Sequence, residues 1–126
     1  MKILITGCAG FIGYSLCRKL LNSSTIKKIY GIDNVNSYYD IELKKTRLKL
    51  LKNKKFVFKK IDISNKSKLK IFFKKIDVDI VIHLAAQAGV RASIYKPSLY
   101  YKSNIVGFFN LIENCRINKI NRVVYA

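Results

Sequence analysis

With 126 residues, half of them hydrophobic, the chain is long enough for one buried core and too apolar for a disordered segment. Its 25 Lys and Arg outweigh 7 Asp and Glu to leave +18, yet the lysines are scattered over every predicted helix and turn. That scatter points to a bias of the whole surface and argues against a nucleic-acid footprint as the main function.

Other classes fall away as quickly. No apolar run approaches the ~20 residues that span a bilayer, and Met1-Lys2 leads straight into an apolar run with no cleavage site after it. Cys8, Cys17 and Cys115 are scattered, with no CxxC and no nearby His. They read as small buried hydrophobes in a reducing cytoplasm, not as metal ligands or a disulfide frame. The expectation is a cytoplasmic protein with neither membrane nor nucleic-acid partner, and one domain over residues 1–126.

The first predicted strand is Lys2–Thr6, whose consecutive Ile3, Leu4 and Ile5 suit a strand buried on both faces of a parallel sheet. Gly7, Gly10 and Gly13 follow at once. From Phe11 the period changes, and Ile12, Leu16 and Leu20 recur every four residues, so a helix starts inside the glycine loop. Strand, glycine turn and helix together present bare backbone N–H groups and a helix N-terminus to a diphosphate. Gly7 serves the tight turn, Gly10 the approach of backbone to phosphate, and Gly13 the close packing of helix on sheet.

A polar break at Asn22–Thr25 precedes the second strand, Ile29–Asp33. Asp33 lies 20 residues beyond Gly13, the spacing at which a carboxylate accepts hydrogen bonds from an adenosine ribose and repels a 2′-phosphate. That arrangement favours NAD over NADP; the plainer reading is an acidic turn residue at a strand end. The polar, aromatic loop Asn34-Val-Asn-Ser-Tyr-Tyr-Asp40 leads into a lysine-rich helix, about 41–51, with Leu43, Leu50 and Leu51 as its apolar face. Phe56–Phe58 resumes strand character and ends near Asp62-Ile63. Asp62 either meets an adenine amino group or helps Ser64 or Asn65 cap the next helix. That helix carries Leu69, Phe72, Phe73 and Ile76 on one face.

The fourth strand, Val78–His83, runs into Leu84-Ala-Ala-Gln-Ala-Gly-Val-Arg91, whose small residues allow backbone close to a ligand. His83, the one histidine, is either a satisfied core residue or a base. Pro97 suits the first turn of a helix running to about Arg116, with Phe108, Leu111 and Cys115 as its buried stripe. Extended back one turn, that stripe reaches Asn104, which would then need partners for its amide. Arg122–Ala126 is a fifth strand. Alternating strands and helices with short connections give an α/β doubly wound parallel sheet of Rossmann type, followed in this chain only as far as its fifth strand.

The motifs Thr6-Gly-Cys-Ala-Gly-Phe-Ile-Gly13, Gly31-Ile-Asp-Asn34, Asn36-Ser-Tyr-Tyr-Asp40, His83-Leu-Ala-Ala-Gln-Ala-Gly-Val-Arg91 and Ser103-Asn-Ile-Val-Gly107 resemble the extended short-chain dehydrogenase/reductases. Within them the likeness is to nucleotide-sugar epimerases, most closely the UDP-glucuronate 4-epimerases. The resemblance implies that Phe11 and Ile12 bring backbone to the NAD diphosphate and that Asp33 and Asn34 hold the adenosine side. It implies that Asp62 and Ile63 flank adenine, that Leu84, Ala85, Ala86 and Gln87 line the nicotinamide half, and that Asn104 joins them. Gln87 and Arg91 would face a UDP-sugar, Arg91 meeting an anionic group or being one more surface cation. The implied chemistry is removal and return of hydride at C4 through a 4-keto sugar, with a Tyr taking the hydroxyl proton and a homodimer as the assembly.

The family's Tyr-x-x-x-Lys pair has no counterpart, because none of the eight tyrosines has Lys four residues later. The resemblance therefore covers the cofactor part of such an enzyme, with an inactive fragment expected. A non-catalytic NAD-binding module or a degenerate fragment is the alternative, with a basic nucleic-acid-binding domain as the less favoured third reading.

Overall fold

The computed structural model describes all 126 residues. Five strands, β1 (Lys2–Thr6), β2 (Lys28–Asp33), β3 (Phe56–Lys60), β4 (Ile80–His83) and β5 (Val123–Tyr125), form one sheet in the spatial order β3-β2-β1-β4-β5. Every pairing is parallel. The connections carry α1 (Phe11–Leu21), α2 (Ile41–Leu50), α3 (Lys66–Phe73), α4 (Val90–Tyr95), α5 (Pro97–Tyr100), a π-helical stretch (Tyr101–Gly107) and α6 (Phe108–Ile117).

β1 is buried on both sides because it is the central strand. Ile3 and Ile5 belong to a cluster with Cys8, Cys17, Ile26, Ile29 and Leu51, the side covered by α1 and α2. Leu4 joins the opposite cluster with Leu69, Phe72, Phe73, Leu111 and Cys115, the side covered by α3 and α6. Adjacent strand residues face opposite sides, so one apolar run supplies both layers of a doubly wound sheet. The three cysteines are buried and free, and burial pushes the thiols of Cys17 and Cys115 up to about 12 and about 11. No helix is long and apolar enough to cross a membrane. Three ion pairs form, Lys2–Asp77, Lys45–Glu42 and Arg116–Glu113, all at the surface and worth little.

Three helix faces differ from the sequence expectation. On α1, Ile12 is 64% exposed and the residues sealed against the sheet are Gly13 and Cys17, so the buried row lies one residue further on. On α2, Leu43 and Leu50 point to solvent, and the inner face carries Lys44, with Leu51 just beyond the helix. The run from Pro97 is helical to Ile117 but passes through the π stretch, whose wider turn shifts the phase between its two ends. Leu111 and Cys115 are buried as expected, together with Asn110 and Asn114, whereas Asn104 is exposed. The short helix α4 had no counterpart in the sequence reading.

Candidate functional site

The strand order reverses between β1 and β4, and a crevice opens at the carboxyl ends of the strands where such a reversal occurs. The cleft there has a volume of about 120 Å³. It is lined by Gly7 and Gly10 after β1, Asp33 and Asn34 at the end of β2, Asp62 and Ile63 after β3, and Leu84 to Gln87 after β4. The sequence named all of these. Phe11 and Ile12 sit at the start of α1 with their side chains outward, and Gly13 lies beneath the loop rather than in the cleft wall.

The glycine loop is held by contacts that exclude a side chain at Gly7 and Gly13. Gly7 has φ +71°, and a Cβ there would lie 2.8 Å from the Ala85 nitrogen and 2.9 Å from the Leu84 carbonyl oxygen. Gly10 is the N-cap of α1 and makes no side-chain cap, so the orphan N–H groups of the first turn have no side-chain acceptor. Such an N-terminus attracts an anion.

Asp33 is 8% exposed and ties the loop to β2. Its Oδ2 accepts from the Ala9 N–H at 3.1 Å and its Oδ1 from the Val35 N–H at 2.8 Å. Two cations from α2 reach the loops on either side of it, Lys44 at Asn36 and Arg47 at Ala9, and the sequence reading missed both. Lys44 is 7% exposed, and its ammonium donates to the Asn36 carbonyl (3.2 Å) and Oδ1 (2.9 Å). No carboxylate pairs with it, so its third N–H is left for the cleft it lines. Arg47 donates to the Ala9 carbonyl at 3.2 Å and lies 5.9 Å over the Phe11 ring.

On the β3 side, Asp62 holds the turn ahead of α3 and leaves the cap itself to Asn65. Its Oδ1 accepts from the N–H (2.9 Å) and hydroxyl (2.6 Å) of Ser64, and its Oδ2 accepts from the Asn34 amide at 3.2 Å. Burial pushes this carboxyl up, but the Ser64 and Asn34 donors and the nearby Lys102 outweigh burial and hold it below its usual range. Asn65 caps α3 by accepting from the Lys68 N–H at 3.0 Å. The buried amide of Asn110 donates to the carbonyls of Ile63 (3.1 Å) and Ser64 (3.2 Å), fastening α6 to this corner.

On the β4 side the Thr6 hydroxyl organises the backbone. It accepts from the N–H groups of Leu84 (3.1 Å) and Ala85 (3.0 Å), which fills its lone pairs, so its proton goes to His83 Nδ1 at 2.7 Å. The neutral imidazole is therefore the Nε2–H tautomer. Phe108 covers it, with ring centres 5.5 Å apart, and burial lowers its pKa below 6.5. His83 is a satisfied core residue.

The folded state thus disfavours protonated His83 while the unfolded chain accepts the proton near its ordinary pKa. Folding stability is then full above about pH 6.5 and declines as pH falls toward the lowered folded value. Urea midpoints between pH 7.5 and 5.5 should fall with pH, and His83→Gln should flatten that slope. Equal slopes in the two proteins would refute this, and the test is clean because the chain has no other histidine.

Asn104 finds partners despite its exposure. Its Oδ1 accepts from the Gln87 N–H at 2.7 Å and its Nδ2 donates to the Gln87 carbonyl at 3.0 Å. Arg91 is exposed on α4, outside the cleft wall.

This geometry has close counterparts. CapI of Staphylococcus aureus is 44% identical over 126 residues, covering all of this chain and 37% of that protein. The UDP-glucuronate 4-epimerase of Thermodesulfobacterium geofontis is 44% identical over 124 residues, covering 98% of this chain and 38% of that one. Among solved structures, a UDP-glucuronic acid 4-epimerase of Bacillus cereus in complex with UDP-glucuronic acid and NAD superposes with a TM-score of 0.87 at 36% identity, over 99% of this chain and 39% of that one. The chain thus spans under two fifths of the length of these relatives. The model of the NAD-dependent epimerase/dehydratase family matches residues 3–126, and the chain belongs to that family.

Proposed function

We propose that this chain is the NAD-binding part of a nucleotide-sugar 4-epimerase acting on UDP-glucuronate. The observation that carries the reading is the buried Asp33 carboxylate hydrogen-bonded to a glycine loop that admits no Cβ at Gly7 or Gly13, in one cleft with residues from four strand ends. A dinucleotide fits these residues. The α1 N-terminus and the backbone at Gly7, Gly10, Phe11 and Ile12 suit a diphosphate, and Asp33 suits ribose hydroxyls, with Asn34 beside it. Asp62 and Ile63 suit an adenine edge. Leu84 to Gln87 suit the nicotinamide end, where Asn104 holds the Gln87 backbone in place. NAD, when bound, would accept and return hydride at the sugar carbon.

Gln87 and Arg91 are assigned to the sugar side, Arg91 as a cation for an acidic sugar. Tyr101, Ile105 and Phe109, each 60–61% exposed along one helical run, support a homodimer through that face.

The test is calorimetry of NAD and NADP with the wild-type chain and with Asp33→Ala. Charge-assisted hydrogen bonds contribute about 1.5–3 kcal/mol each, so Asp33→Ala should weaken NAD about 10- to 100-fold. NADP should bind the wild type about tenfold or more weakly than NAD. Equal NAD and NADP affinities, or an Asp33→Ala chain that binds NAD unchanged, would overturn the assignment.

A further inference from the structure

The inner face of α2 is cationic where an amphipathic helix is ordinarily apolar. Leu43 and Leu50 are 46% and 66% exposed, while Lys44 between them is 7% exposed. Lys44 and Arg47, three residues apart on one side of the helix, both reach loops of the cleft. Turning leucine outward and lysine inward gives up apolar burial and desolvates a charge. Positions that break the local pattern in this way are set by function rather than by the core.

The surroundings of the Lys44 ammonium leave its charge uncompensated. Its two acceptors, the Asn36 carbonyl and Oδ1, are uncharged, and none of the three ion pairs includes it. Asp33 lines the same cleft, but its oxygens accept from the N–H groups of Ala9 and Val35. A buried cation without an anion is costly, and one of the three ammonium donors is still free. Gly7 and Gly10, from the loop that leads into α1, line this cleft too. The cleft thus offers a carboxylate, which suits hydroxyl donors, and a cation, which suits an anionic acceptor. A nucleoside phosphate carries both partners in one molecule.

We propose that the buried ammonium of Lys44 is a phosphate-binding group of the cleft, completed by a phosphate oxygen attached to the adenosine whose ribose Asp33 holds. The inference rests on the cofactor reading above. The α1 N-terminus offers N–H groups and a partial charge, and Lys44 adds the full positive charge that the glycine loop lacks. Its place on α2 is fixed by the cap just ahead of it. Asp40 accepts from the Glu42 N–H at 2.8 Å and the Leu43 N–H at 3.4 Å, which sets the first turn. With only neutral acceptors around it, the ammonium meets the phosphate without a competing carboxylate.

The experiment is titration of the 126-residue chain with adenosine and with ADP, followed by amide NMR shifts. Wild type is compared with Lys44→Gln, Lys44→Met and Lys49→Met. Lys44→Gln keeps N–H donors for Asn36 and removes the charge. Lys44→Met keeps the buried stem, so the measurement does not depend on one variant folding. Lys49 is exposed on the same helix, and its substitution removes the same charge from the surface. Both Lys44 variants should bind ADP about 10- to 100-fold more weakly than wild type, the effect of one charge-assisted hydrogen bond. Adenosine, which has no phosphate, should bind them within about twofold of wild type, because it never makes that bond. Lys49→Met should bind both ligands as wild type does. If Lys44 only braced the Asn36 loop, adenosine and ADP would weaken together, and that result would overturn the proposal. An equal loss of ADP affinity in Lys49→Met would overturn it as well, by tracing the effect to overall charge. ADP affinity unchanged in the Lys44 variants would overturn it while leaving the cofactor reading intact. A wild-type chain that binds neither ligand would overturn both.

Discussion

Incubated with NAD and UDP-glucuronate, the 126-residue chain is expected to form no detectable C4 epimer. Epimerisation through a keto sugar needs a base at the sugar hydroxyl, and a positioned base contributes roughly 10²–10⁴-fold. No tyrosine here has a lysine four residues on. The Tyr100 hydroxyl has its proton committed to the backbone carbonyls of Ala88 and Gly89. His83 is equally occupied, with Nδ1 accepting from Thr6 and the ring covered by Phe108. Chromatography of the reaction, beside one of the full-length epimerase relatives, is the measurement. Turnover comparable to that relative would refute the expectation, and its loss in His83→Gln would identify the base.

Replacing Gly13 with alanine should be the most damaging single methyl group in the glycine loop. The added Cβ collides with the Gly7 carbonyl, and it also lies 2.9 Å from the Gly7 carbonyl carbon and 3.0 Å from the Cys8 Cα. These are backbone atoms, so no rotamer change relieves them, and Gly7 is already in the left-handed region. Overpacking a well-packed site costs about 1–3 kcal/mol and more where the backbone must move. For a domain of this size the upper end corresponds to a fall of roughly 10 °C or more in Tm. Gly10→Ala is the milder comparison, because its Cβ would meet only the Gly7 oxygen at 3.2 Å. Thermal melts of the two variants should rank Gly13→Ala well below Gly10→Ala. Equal melting points would show that the loop yields more easily than these contacts imply.

The parts of the cleft that were legible in the sequence are those written in local pattern. An unbroken apolar run, glycines three apart and an acid at the end of the next strand are short-range signals, and a parallel sheet brings their carboxyl ends together. The Asn34–Asp62 bond follows from two strand ends that the sheet order places side by side.

What escaped were features of phase and of long-range contact. Hydrophobic periodicity seeks leucine, so it put Leu43 and Leu50 inward on α2, where Lys44 in fact takes the inner face by hydrogen-bonding to Asn36. A strictly α-helical period carried the buried stripe of α6 back to Asn104. The π stretch breaks that period, so the buried amides are Asn110 and Asn114, and Asn104 turns to the Gln87 backbone instead.

The strand order also sets the timetable on which this chain can fold. β1 is made first, yet its partner on one side is β4, with Thr6 and His83 hydrogen-bonded across 77 residues. As the chain leaves the ribosome, β1, β2 and β3 can pair with one another while the far side of β1 still exposes unpaired backbone and the apolar face of Leu4 lacks Leu111. Loop closure over such distances slows folding, and unpaired strand edges in partly built sheets invite association with other chains. Nascent chains stalled before His83 should therefore bind chaperones and resist compaction, and release should follow once β4 has emerged.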